Sequence, residues 1–576
     1  MSTRLAKGGR LINRTAPVEF SFNGKRFKGF QGDSLAAGLL ANDQVMVGRS
    51  FKYHRPRGIV SSGPEEPNAL VNLGQGGRLE PNQRTTTTEL IEGLESTSQN
   101  HWPSLEFDVG VVNNYVARFL PAGFYYKTFM HPRPFWKHVF EPIIRRSAGL
   151  GKAPTEGDAD RYEQAYAFCD VLVIGAGVAG LLAAKAAADA GQRVILLEQA
   201  PTLGGRAPVD ETEVQGKPVE AWLSAMESDL AARDNVTIRT RTCGFGVYDH
   251  GYVLADERVA DHTPGDGRPK HRLWRIRAGR IVSATGAIER PLSFAGNDIP
   301  GVMLASAVRD YVVNYAVSPG DRTVVVTNND SAYQTALALK AAGLDVPAIL
   351  DARETATGAL PEAARAAGIR VLTGKAIAKV KGGKRVTGVT VCAQAGEGAV
   401  QEEIACEAVA MSGGWSPVVH LWSHCGGKLT WDETISAFVP DPSRPPLNHD
   451  GSAMVEVVGS ASGDLTLTGT PTVIPPVWVM PQGAPIAYRN KMWLDYQNDV
   501  KVSDVQLASR EGYVSVEHTK RYTTLGMATD QGKLSNINGL AVLADSLGQE
   551  IPQVGTTTFR PPYTPVTIGA LAGESR

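Results

Sequence analysis

The chain has 576 residues, 43% of them apolar, which is long enough for about three or four domains with separate cores. Its 58 Lys and Arg residues almost balance its 59 Asp and Glu residues, which excludes a global charge that would attract nucleic acid or an anionic membrane. We see no secretory segment and no apolar run of ~20 residues, so we expect a cytoplasmic protein. The five cysteines are widely spaced, which predicts reduced, buried thiols and no metal site.

The first 100 residues carry the signals of a hairpin followed by a helix. Val18, Phe20 and Phe22 alternate with polar residues, and Asn23-Gly24 supplies a two-residue turn before the strand pattern resumes. Asp33-Ser34 then caps a short apolar helix. This order predicts a ferredoxin-like β-grasp domain over residues 1–100.

The loop after that helix, residues 48–58, is the place where ferredoxin-type domains keep their cluster cysteines. Here the loop is rich in Arg and Lys, and no cysteine precedes Cys169. We therefore expect no iron–sulfur cluster held by thiolates in this domain. The prediction for the loop is a solvated or subunit-facing segment, with a phosphate site as the alternative.

Residues 101–165 are rich in aromatic residues and Pro, which predicts a packed connector that ends in a polar linker. From Asp170 to about Ile474, short β-rich runs alternate with Ala-rich helical stretches, which is typical of stacked α/β domains. A more polar tail follows, and it has signatures of its own.

A dinucleotide-binding signature begins at Asp170. A buried strand, residues 170–174, leads directly into Gly175, Gly177 and Gly180, which open an Ala-rich helix. The glycines allow a tight turn, a close approach to a pyrophosphate and close packing of helix on strand, and the helix N-terminus attracts the negative charge. Glu198, at the end of the next strand, is placed to bind an adenosine ribose, which favours NAD or FAD over NADP.

Residues 203–206 and 283–287 resemble landmarks of the two-dinucleotide-binding flavoproteins. The resemblance implies a glutathione-reductase-type α/β core, with a first domain over residues 166–315 and 436–480 and a second Rossmann-like domain, residues 316–435, inserted into it. The turn of the second domain, residues 328–333, contains no glycine, and Asp330 would repel a phosphate. We expect this second site to be empty, with an atypical ligand as the alternative. The candidate residues of the first site are Gly175, Gly177, Val178, Gly180, Leu197, Glu198, Gln199, Arg206, Gly244, Gly459, Ser460 and Leu465.

Further stretches, residues 48–58, 246–252, 411–417 and the tail at 517–533 and 555–565, resemble the alpha subunits of heterotetrameric sarcosine oxidases. The resemblance implies a complex that oxidises sarcosine to glycine with FAD in a beta subunit, passes electrons to FMN at the alpha/beta boundary and reduces oxygen to hydrogen peroxide. It also implies NAD in the first Rossmann site, although the residues alone do not separate NAD from FAD, and it implies small gamma and delta subunits as partners.

The tail, residues 481–576, is predicted to be an extension that helps to enclose the flavin at the subunit interface. Its cations and neutral hydrogen-bonding groups suit a flavin phosphate, and an intersubunit salt-bridge patch is the alternative. The candidate residues are Lys520, Thr529, Gln531, Lys533, Thr558 and Arg560.

Alpha subunits of this family continue into an aminomethyltransferase-like domain that binds tetrahydrofolate. We expect that chemistry to lie outside these 576 residues, by truncation, by division into separate chains or by loss. Two other interpretations remain open: a subunit of a related amine, amino-acid or opine dehydrogenase, and a scaffold that holds nucleotide without chemistry of its own. No catalytic residue can be assigned, and His54, His250 and His518 are expected to be structural.

Overall fold

The computed structural model describes residues 3–146, 149–466 and 472–573. The chain divides into two compact units. The first comprises residues 1–158, 289–414 and 474–557, and the second comprises residues 159–288, 415–473 and 558–576. Among the helices described, none is long and apolar enough to cross a bilayer.

The first unit begins with a five-stranded mixed sheet of order β2-β1-β7-β5-β6 and a small β3-β4 hairpin. The predicted hairpin is confirmed, because β1 and β2 pair antiparallel across Asn23 and Gly24, both with positive φ. The predicted cap is also confirmed, since the Ser34 hydroxyl accepts a hydrogen bond from the Ala37 amide at 3.1 Å. The elements are β1 Asn13–Phe22, β2 Lys25–Gln31, α1 Leu35–Ala41, β3 Met46–Arg49, β4 Pro56–Gly58, β5 Leu70–Leu73, β6 Glu80–Arg84 and β7 Leu94–Ser98.

Residues 112–146 of the same unit form what we call the arm, a series of short helices. They are α2 Val112–Tyr115, α3 Phe124–Lys127, α4 Arg133–Phe135, a π-helical turn Trp136–Phe140 and α5 Glu141–Arg146. The expectation of a packed connector is wrong for most of the arm, because many of its large apolar side chains are exposed. Its contacts with the rest of the unit include the packing of Ala122 against Ala508 and Tyr522 and the stacking of Tyr126 on Tyr522.

The second unit is built on a sheet of order β12-β9-β8-β15-β14-β13, in which β8, β9, β12 and β15 run parallel. The predicted strand at 170–174 is the end of a longer strand, since residues 162–169 pair with residues 271–278 of β15. The elements are β8 Tyr162–Ile174, α6 Val178–Asp189, β9 Val194–Leu197, α7 Ala207–Asp210, β10 Glu213–Val214, β11 Lys217–Pro218, α8 Val219–Ala231, β12 Val236–Arg239, β13 Thr242–Tyr248, β14 Tyr252–Arg258, β15 His271–Ser283 and β16 Ala287–Glu289.

A second parallel sheet, of order β17-β24-β18-β19-β20, belongs to the first unit, with an antiparallel sheet β21-β22-β23 beside it. The predicted strand at residues 323–327 is confirmed as β18. The elements are β17 Val302–Leu304, α9 Ala305–Tyr315, β18 Thr323–Thr327, α10 Ser331–Ala341, β19 Ile349–Asp351, α11 Ala359–Ala366, β20 Val371–Thr373, β21 Lys375–Gly382, β22 Val386–Ala393, β23 Glu402–Ile404 and β24 Ala408–Ser412.

The structure moves two predicted domain boundaries. Because β17 pairs with β24, the second Rossmann-like sheet begins before residue 316, and this segment of the first unit runs from Glu289 to Gly414. The tail is also divided, since residues 481–557 belong to the first unit and residues 558–573 to the second. The remaining elements are β25 Trp415–Pro417, α12 His420–His424, β26 Leu429–Asp432, β27 Ala437–Pro440, β28 Val455–Val457, α13 Ile486–Arg489, β29 Trp493–Asp495, β30 Val500–Lys501, α14 Val502–Arg510, α15 Val516–Thr523, α16 Asn536–Leu547, α17 Ile551–Val554 and α18 Ile568–Ala572.

Candidate functional site

The glycine loop at the carboxyl end of β8 combines two closely packed glycines with one that borders open space. Gly175 has a φ of +102°, and a Cβ there would lie 2.3 Å from the Ala284 carbonyl oxygen. A Cβ on Gly180 would lie 1.9 Å from the Gly175 carbonyl oxygen, so both positions need glycine for packing. A Cβ on Gly177 would meet no atom within 4 Å, so the space in front of this residue is open. Gly177 is the N-cap of α6, and the amides of a first helical turn have no acceptor within the helix.

Glu198 follows β9 and is tied to the glycine loop. One carboxylate oxygen accepts the Ala176 amide at 2.8 Å and the other accepts the Ala200 amide at 2.8 Å. Burial raises the pKa of this carboxyl above its ordinary value, and the backbone amides oppose that rise. Each oxygen has a second lone pair, so the geometry allows a ribose hydroxyl in addition to the amides.

Two neighbours of Glu198 complete this edge of the sheet. Leu197 is fully buried, and its carbonyl accepts the Gly175 amide at 2.8 Å. Gln199 is exposed. Val178 begins α6 and is partly buried beside the core of the sheet.

A second loop, residues 203–206, lies against the first. The Gly204 amide donates to the Ala176 carbonyl at 2.8 Å. Arg206 is held by Asp210, with 2.8 Å between Nε and the carboxylate, and its guanidinium lies 5.3 Å from the ring centroid of Trp415. Trp415 and Asp210 were not predicted as site residues; the available signal in the sequence was the glycine pair before Trp415, of which Gly414 has a φ of +97°.

The structure also brings Gly244, Gly459 and Ser460 to this region. A Cβ on Gly244 would lie 3.1 Å from the Ile174 side chain, at the end of β8. A Cβ on Gly459 would lie 2.7 Å from the Ala179 Cβ, so the short 3-10 turn of Gly459–Ser462 packs on the start of α6. Leu465 is partly buried, and its carbonyl accepts the Thr472 hydroxyl. A role for Leu465 in the nucleotide site stays a prediction.

The corresponding turn of the inserted domain is filled by its own side chains. Asn328 is buried, and its amide donates to the carbonyls of Gly413 and Pro475. Asn329 is buried and donates to the Ser412 hydroxyl at 3.0 Å. Asp330 forms an ion pair with Arg353 at 2.7 Å. These contacts occupy the position at which a glycine loop would leave room for a phosphate.

The basic loop of the N-terminal domain is buried, so the expectation of a solvated segment is wrong. Arg57 is 1% exposed and forms ion pairs with both Asp298 and Asp499. Arg55 also contacts Asp298, at 2.7 Å. Burial alone would raise the pKa of Asp298, but the two guanidinium groups reverse that effect and lower it. The loop is therefore a network of compensated charges.

Arg49, at the start of the same loop, is also buried and bonded within the chain. Its guanidinium donates to the Leu105 carbonyl at 2.7 Å and to the His54 carbonyl at 2.9 Å. His54 is held by Asp108 at 2.7 Å, which agrees with the structural role expected for this histidine. The cations of the loop are thus used within the chain.

The tail residues predicted to contact a flavin are divided between the units. Thr529 donates its hydroxyl to Gln497 at 2.9 Å, and Lys533 is buried and donates to the Asp530 carbonyl at 3.1 Å. Gln531 has a φ of +56°, a strained conformation for a residue with a side chain. The other three candidates lie outside this loop: Lys520 is in α15 of the first unit, and Thr558 and Arg560 are exposed residues of the second unit.

Buried acids surround this loop of the tail. Asp495 accepts the amides of Asn498 and Gly526, at 2.8 and 2.9 Å. Burial and the neighbouring Asp530 raise the pKa of Asp495 to about 7. The pKa of Asp530 is also raised by burial, although Lys533 opposes the rise. The loop therefore holds a pair of acids in which one proton is favoured near neutral pH.

Three families match successive parts of the chain. Residues 15–101 match the 2Fe-2S iron-sulfur cluster binding domain, residues 169–439 match Pyridine nucleotide-disulphide oxidoreductase and residues 489–574 match the Sarcosine oxidase A3 domain. The residues of the first match do not fit a cluster, because they include no cysteine and the loop at 48–58 is filled by ion pairs. The glycine loop after β8 does fit the nucleotide that the second match implies.

Relatives that match almost the whole chain include sarcosine oxidase alpha subunits. The sarcosine oxidase alpha subunit of Rhizobium meliloti (strain 1021) is 46% identical over 99% of this chain and 59% of its own length. The protein of the same name from Corynebacterium sp. (strain P-1) is 36% identical over 98% of this chain and 57% of its own length. The chain thus spans less than two thirds of these relatives.

More distant proteins match part of the sequence or have a similar fold. One opine oxidase subunit of Rhizobium meliloti (strain 1021) is 25% identical over 70% of this chain and 98% of its own length. The structure of L-proline dehydrogenase from P. horikoshii has a similar fold, with a TM-score of 0.67 at 19% identity over 99% of this chain and 100% of that one. Across its whole length, the chain is therefore homologous to the matching part of sarcosine oxidase alpha subunits.

Proposed function

We propose that this chain is the nucleotide-binding part of the alpha subunit of a sarcosine oxidase complex. In this proposal it holds NAD in the first Rossmann site and helps to enclose FMN beside a beta subunit that carries FAD. The complex oxidises sarcosine and passes the electrons to oxygen, which gives hydrogen peroxide. The support is the 46% identity to a sarcosine oxidase alpha subunit together with the geometry of the glycine loop.

One observation carries the nucleotide part of the proposal, namely the open space in front of Gly177 at the N-terminus of α6. The amides of the first helical turn have no partner within the helix and point toward that space. Together with the helix dipole they attract a pyrophosphate, which is the shared centre of NAD and FAD. Glu198, with a second lone pair on each carboxylate oxygen, supplies acceptors for the ribose hydroxyls.

The flavin part of the proposal concerns the tail. Thr529, Gln531 and Lys533 lie on one short loop, in which the strained Gln531 backbone indicates a position selected for more than folding. Lys520, Thr558 and Arg560 complete the proposed set. FMN would supply one-electron and two-electron transfer between the partner's FAD and oxygen, and this chain's role is to bind and orient it.

The first experiment is to purify the chain alone, denature it and identify the released nucleotide by chromatography and mass. Stoichiometric NAD without flavin is the expected result, because the proposed flavins require the partner. Released FAD would replace the NAD assignment and make the chain a flavoenzyme by itself. Release of neither nucleotide would contradict the proposed site.

Gly177→Val tests the site directly. The Cβ enters open space, so the variant is expected to fold, but the branched side chain blocks the pyrophosphate and should lower NAD affinity by at least about tenfold. Gly383→Val is the matched control, since a Cβ at Gly383 also meets no atom within 4 Å and this residue is in the other unit. Isothermal titration of NAD into both variants, with circular dichroism as a folding check, gives the answer. Equal affinities in the two variants would contradict the assignment.

A second candidate function is that of a subunit of an opine or related amine dehydrogenase. It is favoured by the similarity to the opine oxidase subunit of Rhizobium meliloti, which extends over 98% of that protein. The match of residues 489–574 to the Sarcosine oxidase A3 domain favours the first proposal. Turnover by the assembled complex separates them: hydrogen peroxide formed from sarcosine supports the oxidase, and reduction of an artificial acceptor by opines alone supports the alternative.

A further inference from the structure

The last part of the arm exposes an apolar helical face. Residues 133–146 are helical throughout, from α4 through the π-helical turn to α5. Phe135, Val139 and Ile143 recur every four residues and therefore lie on one face, with 47%, 36% and 57% of their surface exposed. The ring of Phe140, which is partly buried, lies 5.1 Å from that of Phe129 and 6.2 Å from that of Phe135. The helix is thus held by aromatic packing on its inner side and is uncovered on its outer side.

Earlier parts of the arm add to this exposed surface. Tyr115, Phe119 and Tyr126 are 81%, 56% and 61% exposed. We use the name arm face for the exposed apolar side chains of the arm, namely these three and Phe135, Val139 and Ile143. Covering its four aromatic residues would bury roughly 400 Å², since a large aromatic side chain has about 150–250 Å² to bury. This is about half of the ~800 Å² that one partner contributes to a stable protein interface.

The arm face is positioned before any partner binds. The Tyr126 ring stacks on Tyr522 of α15, with centroids 6.1 Å apart and planes inclined by 8°. Lys127 forms an ion pair with Glu511, which also accepts the Tyr522 hydroxyl. A Cβ on Gly123 would lie 2.1 Å from the Tyr522 ring, so the backbone approaches this ring closely. A preformed surface loses little conformational entropy on binding.

The charge of the arm is unlike that of the whole chain. Residues 112–146 contain six Arg and Lys residues and a single acid, Glu141, whereas the whole chain is balanced. Two of these cations form ion pairs, Arg145 with Glu141 and Lys127 with Glu511. Among the described residues, the other four have no carboxylate within ion-pair distance; they are Arg118, Arg133, Lys137 and Arg146. Negative charge on an occupant of the arm face would therefore be favourable.

We propose that the arm face is the docking site of a second, different subunit, which receives residues 133–146 in an apolar groove rimmed by Asp and Glu. This inference rests on the proposed function, in which the chain is one subunit of a complex. A second copy of this chain fits less well, because a symmetric contact would bring two basic arms together. Amphipathic helices enter such grooves through side chains spaced as Phe135, Val139 and Ile143 are.

The test uses the intact complex, isolated through an affinity tag on this chain in its native cells, with the partner identified by mass and by its flavin. Hydrogen exchange is compared between the complex and the chain alone. The partner is then titrated against the double variant Phe135→Ser/Ile143→Ser and against Val400→Ser, a control with 52% exposure outside the arm. Protection of residues 129–146 is expected. The double variant should bind the flavin-bearing partner at least about tenfold more weakly, and the control should bind like wild type.

The remaining outcomes separate the two proposals. A complex whose protected surface excludes the arm, and whose affinity the double variant does not change, would overturn the docking site and leave the proposed function standing. Self-association through the arm, or binding to vesicles of phosphatidylglycerol without a protein partner, would also overturn the docking site. Failure of the proposed function would show instead as a chain that releases no NAD on denaturation. Arg133→Glu/Lys137→Glu should weaken the complex and reduce its salt dependence, and an unchanged salt dependence would contradict the acidic rim.

Discussion

Substitution of Arg57 by Met tests whether the buried ion pairs hold the basic loop in place. Arg57 is 1% exposed and contacts Asp298, Asp499 and the Tyr496 carbonyl. Met removes the charge but keeps much of the side-chain volume. Breaking a buried ion pair from one side costs about 3–5 kcal/mol, because it leaves an uncompensated charge.

Both acids keep other partners, which places the expected loss at the lower end of that range. Asp298 still has Arg55 at 2.7 Å, and Asp499 still accepts the amides of Lys52 and Tyr53, at 3.1 and 2.8 Å. We therefore expect Arg57→Met to lower the free energy of unfolding of the first unit by about 3 kcal/mol. Adding Asp499→Asn should restore part of that loss, because it removes one of the two uncompensated charges.

Urea unfolding followed by tryptophan fluorescence is a suitable assay, since the Trp493 ring lies 5.4 Å from the Arg57 guanidinium. Arg370→Met is the control: it breaks the exposed pair with Glu402 and should unfold close to wild type. The guanidinium groups lower the pKa of Asp298, so the stability that its ionised form contributes is present above pH ~4 and is lost as the pH falls through the lowered pKa. The difference between wild type and Arg57→Met should therefore shrink below pH ~4. If the free energy of unfolding of Arg57→Met lies within about 1 kcal/mol of that of the control, the reasoning is refuted.

Glu198→Gln should weaken NAD by about 5- to 150-fold, because one of the two carboxylate oxygens becomes an amino group that cannot accept a hydrogen bond from the ribose, at a cost of ~1–3 kcal/mol; unchanged affinity in a titration would contradict this. Asp530→Asn should flatten the pH dependence of stability. In the wild type the pKa of Asp495 is raised to about 7, so the stability that its protonated form contributes is fully present below pH ~4 and is lost as the pH rises through about 7. Urea midpoints that fall equally with rising pH in the variant and in the wild type would contradict the interaction between Asp495 and Asp530. Gln531→Gly should raise stability by about 0.5–1 kcal/mol, since it relieves a left-handed backbone, and should lower FMN retention in the complex; a loss of stability would remove the strain argument.

The local elements of this protein follow from its sequence. The Asn23-Gly24 turn, the Ser34 cap, the glycine loop at 175–180 and the strand at 323–327 are where the sequence predicts them, because each depends on neighbouring residues and on short periodicities. The conformations of Gly175 and Gly180 likewise agree with their predicted roles, since only glycine fits so close to a carbonyl oxygen.

Contacts between residues far apart in the chain needed the tertiary structure. The pairing of β17 with β24 moves the boundary of the inserted domain, and no local pattern announces it. Asp298 and Asp499, more than 200 residues from Arg57, turn a basic loop that looks solvated into a buried network. The sequence likewise shows that the arm is aromatic and basic, but only its packing against Tyr522 shows which face remains uncovered. Composition and spacing determine which groups a segment offers, whereas the fold determines which of them find partners, because burial and charge compensation depend on neighbours that only long-range packing brings together.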